Sequence, residues 1–416
     1  MSDANPIQNR IDTHVIATYG RFPLTITHGN GSYVFTEDGR QLLDLGAGIA
    51  TACLGHAHPE LAAALAEQAK KITHISNLYY TEPQSLLAEK LVHHAGGHGK
   101  IFFCNSGAEA NEGLYKLARL HGLTKGRYEI ITAENSFHGR TLAGIAATGQ
   151  NKVKQGFNPP VEGFRHVPFN DLEAMRAAIT EKTAAILIEG VQGEGGIYPA
   201  TPEYLIGLRK LCTKKNILLM MDSVQCGFFR TGNFQSWQTI LKNSKTHEFK
   251  PDAFSLAKSL GAGLPMGAFW VNENLQDVLG PGSHGTTFGG TPLVSAHALK
   301  ALEIIERDDL AKNAISIGNH FTHQIQNLIR TYPSVLKEVR GLGMMIGIEL
   351  TKSIPAFSAS NRPASVQIVE LLHDAGLLTI PAGASIFRLL PPLNLSQTEA
   401  NEGLDIIERV IKKLAS

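Results

Sequence analysis

The sequence predicts an α/β protein with a large domain on a mostly parallel central sheet and a smaller α+β domain beside it. Three observations predict this. Short apolar runs alternate with amphipathic helical stretches through the middle of the 416-residue chain, the pattern of strand–helix–strand units. Near the N-terminus two strand-like runs flank Asp38-Gly39, a strong hairpin dipeptide. From about Leu293 the order changes to long helical periodicities with lone strand-like runs between them.

Taken in order, Ser32–Phe35 and Gln41–Leu45 form the hairpin, and helical periodicity follows at Pro59–Lys71 and Glu82–His94. Six runs read as buried strands: Ile101–Cys104, Glu129–Thr132, Ala184–Glu189, Ile217–Asp222, Ala253–Ala257 and Ala268–Val271. Ala108–His121 and Pro202–Lys215 are amphipathic helices between them. The last part holds helices at Leu293–Ile305, Ile315–Tyr332, Pro363–Ala375 and Gln397–Lys413, with strand-like Met345–Leu350 and Ile386–Leu390. Residues 55–292 are therefore expected as the large domain, and 1–54 with 293–416 as a small domain formed from both termini.

Composition narrows the function classes. Apolar residues make up 43% and charged residues 18%, which suits a soluble protein with an ample core. A net charge of +1 gives no reason to expect nucleic acid or a membrane surface as a partner. No uninterrupted apolar run approaches the roughly eighteen residues of a membrane span. The N-terminus lacks the basic-then-apolar pattern of a signal peptide. Cys53, Cys104, Cys212 and Cys226 form no CxxC pair, so a reduced, cytoplasmic setting is expected and no metal site.

Several segments carry chemistry at strand ends, where open α/β sheets bind ligands. Asp222 closes the apolar run ILLMMD, and Lys258 follows another in AFSLAKSLG. Alone, Asp222 reads as a cap and Lys258 as a lysine reaching for water. Together they match the needs of pyridoxal phosphate: a lysine to form a Schiff base and a carboxylate to keep the pyridine nitrogen protonated. In FCNSGAEANE, Ser106 and Gly107 open a helix whose exposed N–H groups suit a phosphate; an ordinary N-cap is the plain alternative. GSHGTTFGGTP offers hydroxyls and glycines for a second phosphate contact. In SFHGRT, Phe137 could stack on a flat ring and Arg140 could fork a carboxylate. EGVQGEGG places two carboxylates, Glu189 and Glu194, in a glycine-rich strand end, and Arg388 opens the apolar run FRLLP.

In their order along the chain, together with GIATACLGHAHPEL (Gly48–Leu61), LAKSLGAGLPMGA and IFRLLPPLN (Ile386–Asn394), these motifs resemble the class III, ornithine-type aminotransferases of fold type I across nearly the whole chain. The resemblance implies pyridoxal 5′-phosphate as cofactor, with Lys258 as its covalent anchor and later proton shuttle. It places Asp222 at the pyridine nitrogen and Gln225 near the ring hydroxyl. Phe137 would stack on the ring, with His138 beside it in the cofactor group. Ser106, Gly107 and Ala108 would bind phosphate, joined by Thr287 from a second subunit, so a homodimer with shared sites is implied. Arg388 would bind the α-carboxylate of glutamate, Glu194 would mask that arginine for a terminal-amine substrate, and Arg140 would hold the distal carboxylate.

Within the family, HISNLYYTEPQ (His74–Gln84) and HGTTFGG are most similar to the acetylornithine aminotransferases. These move the terminal amine of N-acetylornithine to 2-oxoglutarate, which becomes glutamate, in arginine biosynthesis. Relatives acting on succinylornithine, succinyldiaminopimelate, ornithine or 4-aminobutyrate remain alternatives, because a few pocket residues decide the acyl group. The chain departs from the family pattern at Gly190, Ser223, Cys226 and Phe229. A nicotinamide dehydrogenase is disfavoured because Gly46-Ala47-Gly48 lacks the context of a dinucleotide fingerprint.

Overall fold

The strand Thr183–Glu189 is buried at every position, as a β-branched and aliphatic run covered on both faces should be. It lies inside the seven-stranded sheet of the computed structural model, which describes residues 5–244 and 249–415. From one edge, the strands are Lys100–Cys104, Gly267–Val271, Ala253–Leu256, Leu218–Asp222, Thr183–Glu189, Glu129–Ala133 and Phe164–Val167. Gly267–Val271 pairs antiparallel with both its neighbours, and the other pairs are parallel. Six strands therefore end at one edge, and the reversed strand begins there. Register fixes what meets at that edge: Asp222 is opposite Glu189 on one side and Ser255 on the other.

The expected strands and helices in this region are present, with ends shifted by a residue or so. Pro59–Lys71 starts on proline and ends on two lysines, which suits the missing N–H at the first position and the negative end of the helix dipole. Gly107–Gly122 is capped by Ser106, whose hydroxyl accepts from Glu109 N at 3.2 Å. Its buried residues, among them Ala110, Leu114, Leu117 and Ala118, recur at helical spacing. Each such large aliphatic side chain contributes roughly 1.5–3 kcal/mol on burial.

Two smaller sheets are built from the chain's two ends. Tyr33–Thr36 and Gln41–Asp44 form the expected hairpin. Ile26–Asn30 extends it on one side, and Leu377–Leu378 joins it in parallel on the other. Leu336–Leu342, Met345–Leu350, Ile386–Leu389 and Ile380–Ala382 make an antiparallel sheet. The helix Pro292–Arg307 packs against Pro59–Lys71 and Glu82–His94.

The backbone between hairpin and sheet is unusual. Ala47, Gly48, Ile49 and Ala50 all have left-handed φ, between 44° and 63°. For L-residues this costs roughly 1–2 kcal/mol each, and it is least natural for the β-branched Ile49.

Candidate active site

At the sheet edge lies a cavity of about 350 Å³. Asp222, at the end of its strand, is buried on its floor. One carboxylate oxygen, Oδ2, accepts from Asn111 Nδ2 at 2.7 Å and lies 2.8 Å from His138 Nδ1. The other accepts from Val224 N at 3.0 Å and Ser255 Oγ at 3.4 Å. Four partners hold the carboxylate in place on a chain segment buried on every side.

Lys258 lines the same cavity, two residues beyond the strand Ala253–Leu256 and with a left-handed φ of 48°. Desolvation lowers its ammonium to about 8; Arg388 adds to the shift, while Glu194, Asp222 and Glu189 oppose it. A substantial fraction of the amine is thus neutral, and so nucleophilic, near physiological pH.

Ser106, Gly107 and Ala108 form the adjoining wall. A Cβ on Gly107 would sit 2.6 Å from Val224 Cγ1, so only glycine lets this helix start press against the segment after Asp222. Among the described residues, the N–H groups of Gly107 and Ala108 have no partner within the chain, as the first groups of a helix do. Phe137 and Arg140 also line the cavity, with the guanidinium 5.5 Å from the ring centroid.

At the far end Arg388, buried in its strand, donates to Glu194 Oε1 at 2.6 Å and Oε2 at 3.3 Å. It also donates to Gln225 Oε1 and to the carbonyl of Pro381. Burial alone would raise the Glu194 carboxyl, but the Arg388 charge and its hydrogen bonds win and hold it below its ordinary value. Gln225 Nε2 reaches Glu194 at 3.5 Å. A Cβ on Gly193 would collide with the Gln225 amide, so that glycine makes room for the cluster.

Ten of the twelve residues singled out from sequence line this one cavity, and Arg388 reaches it through Glu194. Thr287 does not. It lies in a separate surface groove with His74, Asn77 and Tyr79. Sequence reasoning missed Asn111, which bridges Asp222 and the His138 carbonyl; the signal was its place one helical turn after Gly107, on the same face. Glu189 was noticed without a role. It accepts from Phe137 N and Gly193 N at 3.3 and 3.2 Å. Burial and then the charge of Asp222 push its carboxyl well above the usual range.

The four departures have local explanations in part. A Cβ on Gly190 would lie 2.1 Å from Ser236 Oγ, and that hydroxyl donates to Cys226 Sγ at 3.4 Å, so Gly190, Ser236 and Cys226 fit one another. Phe229 keeps a left-handed φ of 66° and packs against His94, Phe228 and Phe234. The Ser223 hydroxyl is buried without a partner among the described residues, and nothing in the structure explains it.

The chain matches the class III aminotransferase family over residues 15–411. It belongs to that family. The acetylornithine aminotransferase of Gloeobacter violaceus is 43% identical over 411 residues, covering 98% of each chain. That of Methanocaldococcus jannaschii is 42% identical over 417 residues, covering 100% of both. The ornithine aminotransferase of Toxoplasma gondii, in a structure with partial occupancy of PLP at its active site, superposes with a TM-score of 0.88 at 29% identity. That match covers 98% of this chain and 94% of the other.

Pyridoxal 5′-phosphate is the cofactor of class III aminotransferases, and this aminotransferase has the groups to receive it. The cavity offers an amine of lowered basicity, an oriented buried carboxylate, and a helix start with unpartnered N–H groups. Among the described residues no three His, Cys, Asp or Glu side chains are placed to hold a metal. No described helix is long and apolar enough to cross a membrane.

Proposed function

We propose that this aminotransferase moves the terminal amine of N-acetylornithine to 2-oxoglutarate, with pyridoxal phosphate attached at Lys258. The observation that carries the reading is the pairing of Arg388 with Glu194 in the same cavity as Lys258. A buried guanidinium needs a counter-charge, and Glu194 supplies one that can be withdrawn. With Glu194 in place, a substrate presenting an uncharged stem and a terminal amine fits. With Glu194 displaced, Arg388 is free to fork the α-carboxylate of glutamate or 2-oxoglutarate. The choice of acyl amine rests on the names of the relatives above.

The chain's own groups divide the work. Lys258 Nζ would hold the cofactor covalently and, once released, take and return the proton on the substrate carbon. Asp222, fixed by Asn111 and His138, would keep the ring nitrogen protonated. Ser106, Gly107 and Ala108 would take the phosphate at the positive end of their helix. Phe137 would cover the ring face, His138 would back Asp222, Gln225 would lie toward the ring hydroxyl, and Arg140 would hold the distal carboxylate. When bound, the cofactor supplies an electron-withdrawing ring that acidifies the carbon carrying the substrate amine.

The reading includes a homodimer. Leu78, Tyr79, Tyr80 and Phe288 are exposed in one chain, Tyr80 wholly so; Tyr79 lines the groove that holds Thr287, and the other three are chain neighbours of residues that line it. Such a patch favours burial against a second copy, which would bring Thr287 to the partner's phosphate.

The test is an absorbance spectrum of the purified protein, then addition of N-acetylornithine without an acceptor. A visible cofactor band that bleaches on addition, and returns with 2-oxoglutarate, is expected. A band that ignores N-acetylornithine and responds to another terminal amine would replace the substrate. No band after adding pyridoxal phosphate would overturn the reading.

A further inference from the structure

We propose that Asp44, backed by His56, is a positioning residue of this site: it holds the left-handed turn Ala47–Ala50, and through it Thr51 in the cavity wall and Ser259 beside Lys258. The inference rests on the function proposed above.

Three non-glycine residues in a row of four left-handed positions do not persist by local preference. Something outside the turn must over-determine them, and such strain gathers at functional sites. Here the restraint is visible at both ends. At the start, the buried Asp44 carboxylate accepts from Gly46 N and from Ala47 N, each at 2.8 Å through Oδ1. Its other oxygen lies 2.8 Å from His56 Nε2. At the end, the Ala50 carbonyl accepts from Ser259 Oγ at 2.9 Å, and Cys53 Sγ donates to the Ser259 carbonyl at 3.3 Å. Ser259 follows Lys258, itself left-handed.

The turn leaves no slack for Thr51, which lines the cavity. Thr51 N donates to the Ala47 carbonyl at 2.8 Å and its hydroxyl to the Gly48 carbonyl at 2.9 Å. A Cβ on Gly48 would lie 2.6 Å from Thr51 Oγ1. A continuous bonded path therefore runs from Asp44 through the turn to the residue next to the reactive lysine. His56 is held in turn by Asp44.

The test compares Asp44→Ala with Asp44→Asn in the full-length holoenzyme. Each is saturated with pyridoxal phosphate and read by the visible circular dichroism of the bound cofactor, by Tm, and by kcat/KM per loaded site. Asparagine keeps an oxygen for both N–H groups; alanine keeps none. The expected result is an altered dichroic band and a loss of about tenfold or more in kcat/KM per loaded site for Asp44→Ala, since small displacements at a reacting centre have large rate effects. Asp44→Asn should stay within about threefold of the unsubstituted enzyme. If Asp44→Ala gives no soluble protein, Asp44→Ser, which keeps one acceptor for two donors, is judged by the same criterion. Loaded sites with an unchanged band and unchanged kcat/KM, whatever the fall in Tm, would mean that Asp44 serves stability alone and would overturn the inference. Absence of a cofactor band in the unsubstituted protein would instead overturn the proposed function beneath it.

Discussion

Arg388 grips Glu194 with two nitrogens, at 2.6 and 3.3 Å, from inside a strand where the guanidinium is buried. The pair joins two distant parts of the chain: Glu194 sits on a glycine-flanked loop after one sheet, Arg388 in the strand Ile386–Leu389 of another. On the function proposed above, Glu194, on the loop, is the member that would move.

Removing it should unbalance the two substrates. In Glu194→Ala, Arg388 keeps Gln225 and Pro381 as partners but no anion. A substrate carboxylate then binds without first displacing one. The ratio of kcat/KM for glutamate to that for N-acetylornithine should rise about tenfold or more, roughly 1.4 kcal/mol of relative transition-state binding. Steady-state kinetics with both donors checks this, and an unchanged ratio would remove the switch.

The lowered basicity of Lys258 makes a pH prediction. In the proposed role the neutral amine would attack the aldehyde of added pyridoxal phosphate, and its share grows as pH rises toward about 8. For protein stripped of cofactor, the rate of pyridoxal phosphate capture should climb about tenfold per pH unit below that value and level off above it. An ordinary lysine would keep climbing to about pH 10. Stopped-flow absorbance on the apoprotein measures the midpoint, and Lys258→Ala should show no capture band at any pH.

How far the site could be seen in the sequence follows from what each residue needs. Lys258 and Asp222 were legible because each follows an apolar run and the two together match what a cofactor needs, though either alone has a plain reading; the roles of Glu194 and Arg388 came from the family resemblance. The strands Phe164–Val167 and Leu336–Leu342 were not legible, because FRHV and LKEVRGL carry charged side chains into partly exposed positions and break the apolar signal. Asp44 and His56 were hidden for another reason. Their role depends on a backbone turn that Ala47, Ile49 and Ala50 disfavour by themselves, so no local preference announces it. Thr287 was visible as part of a hydroxyl-rich loop, but a single chain leaves it away from the cavity.

Asp222 and Ser223 are neighbours with opposite prospects. The aspartate has four partners, whereas the Ser223 hydroxyl has none among the described residues. Asp222→Ala should lower kcat by about a hundredfold or more and weaken cofactor retention, since it removes the charge proposed to keep the ring nitrogen protonated. Ser223→Ala removes a buried polar group that was never satisfied, so Tm should hold or rise slightly, with kcat within about twofold. Kinetics and thermal melts of the two variants decide it, and comparable losses would mean that the pyridine partner has been misplaced.

Gly190 supplies the last prediction, because its neighbour can be changed with it. A methyl group at position 190 would lie 2.1 Å from Ser236 Oγ and 3.1 Å from Ser236 Cβ, within a buried cluster that includes Cys226. Gly190→Ala should therefore cost about 1–3 kcal/mol, the usual penalty of overpacking. The double variant Gly190→Ala, Ser236→Ala removes the closest atom and leaves the 3.1 Å contact, which a shift of a few tenths of an ångström relieves, and an ordinary 3.6 Å contact with Met221 Cε. It should recover at least half of the loss. The two residues are in contact, so their effects should be non-additive, and denaturant melts of the two single variants and the double variant measure the coupling. Simple additivity would mean that the strain in Gly190→Ala arises elsewhere, in the backbone of the Glu189–Gly196 segment and not against Ser236.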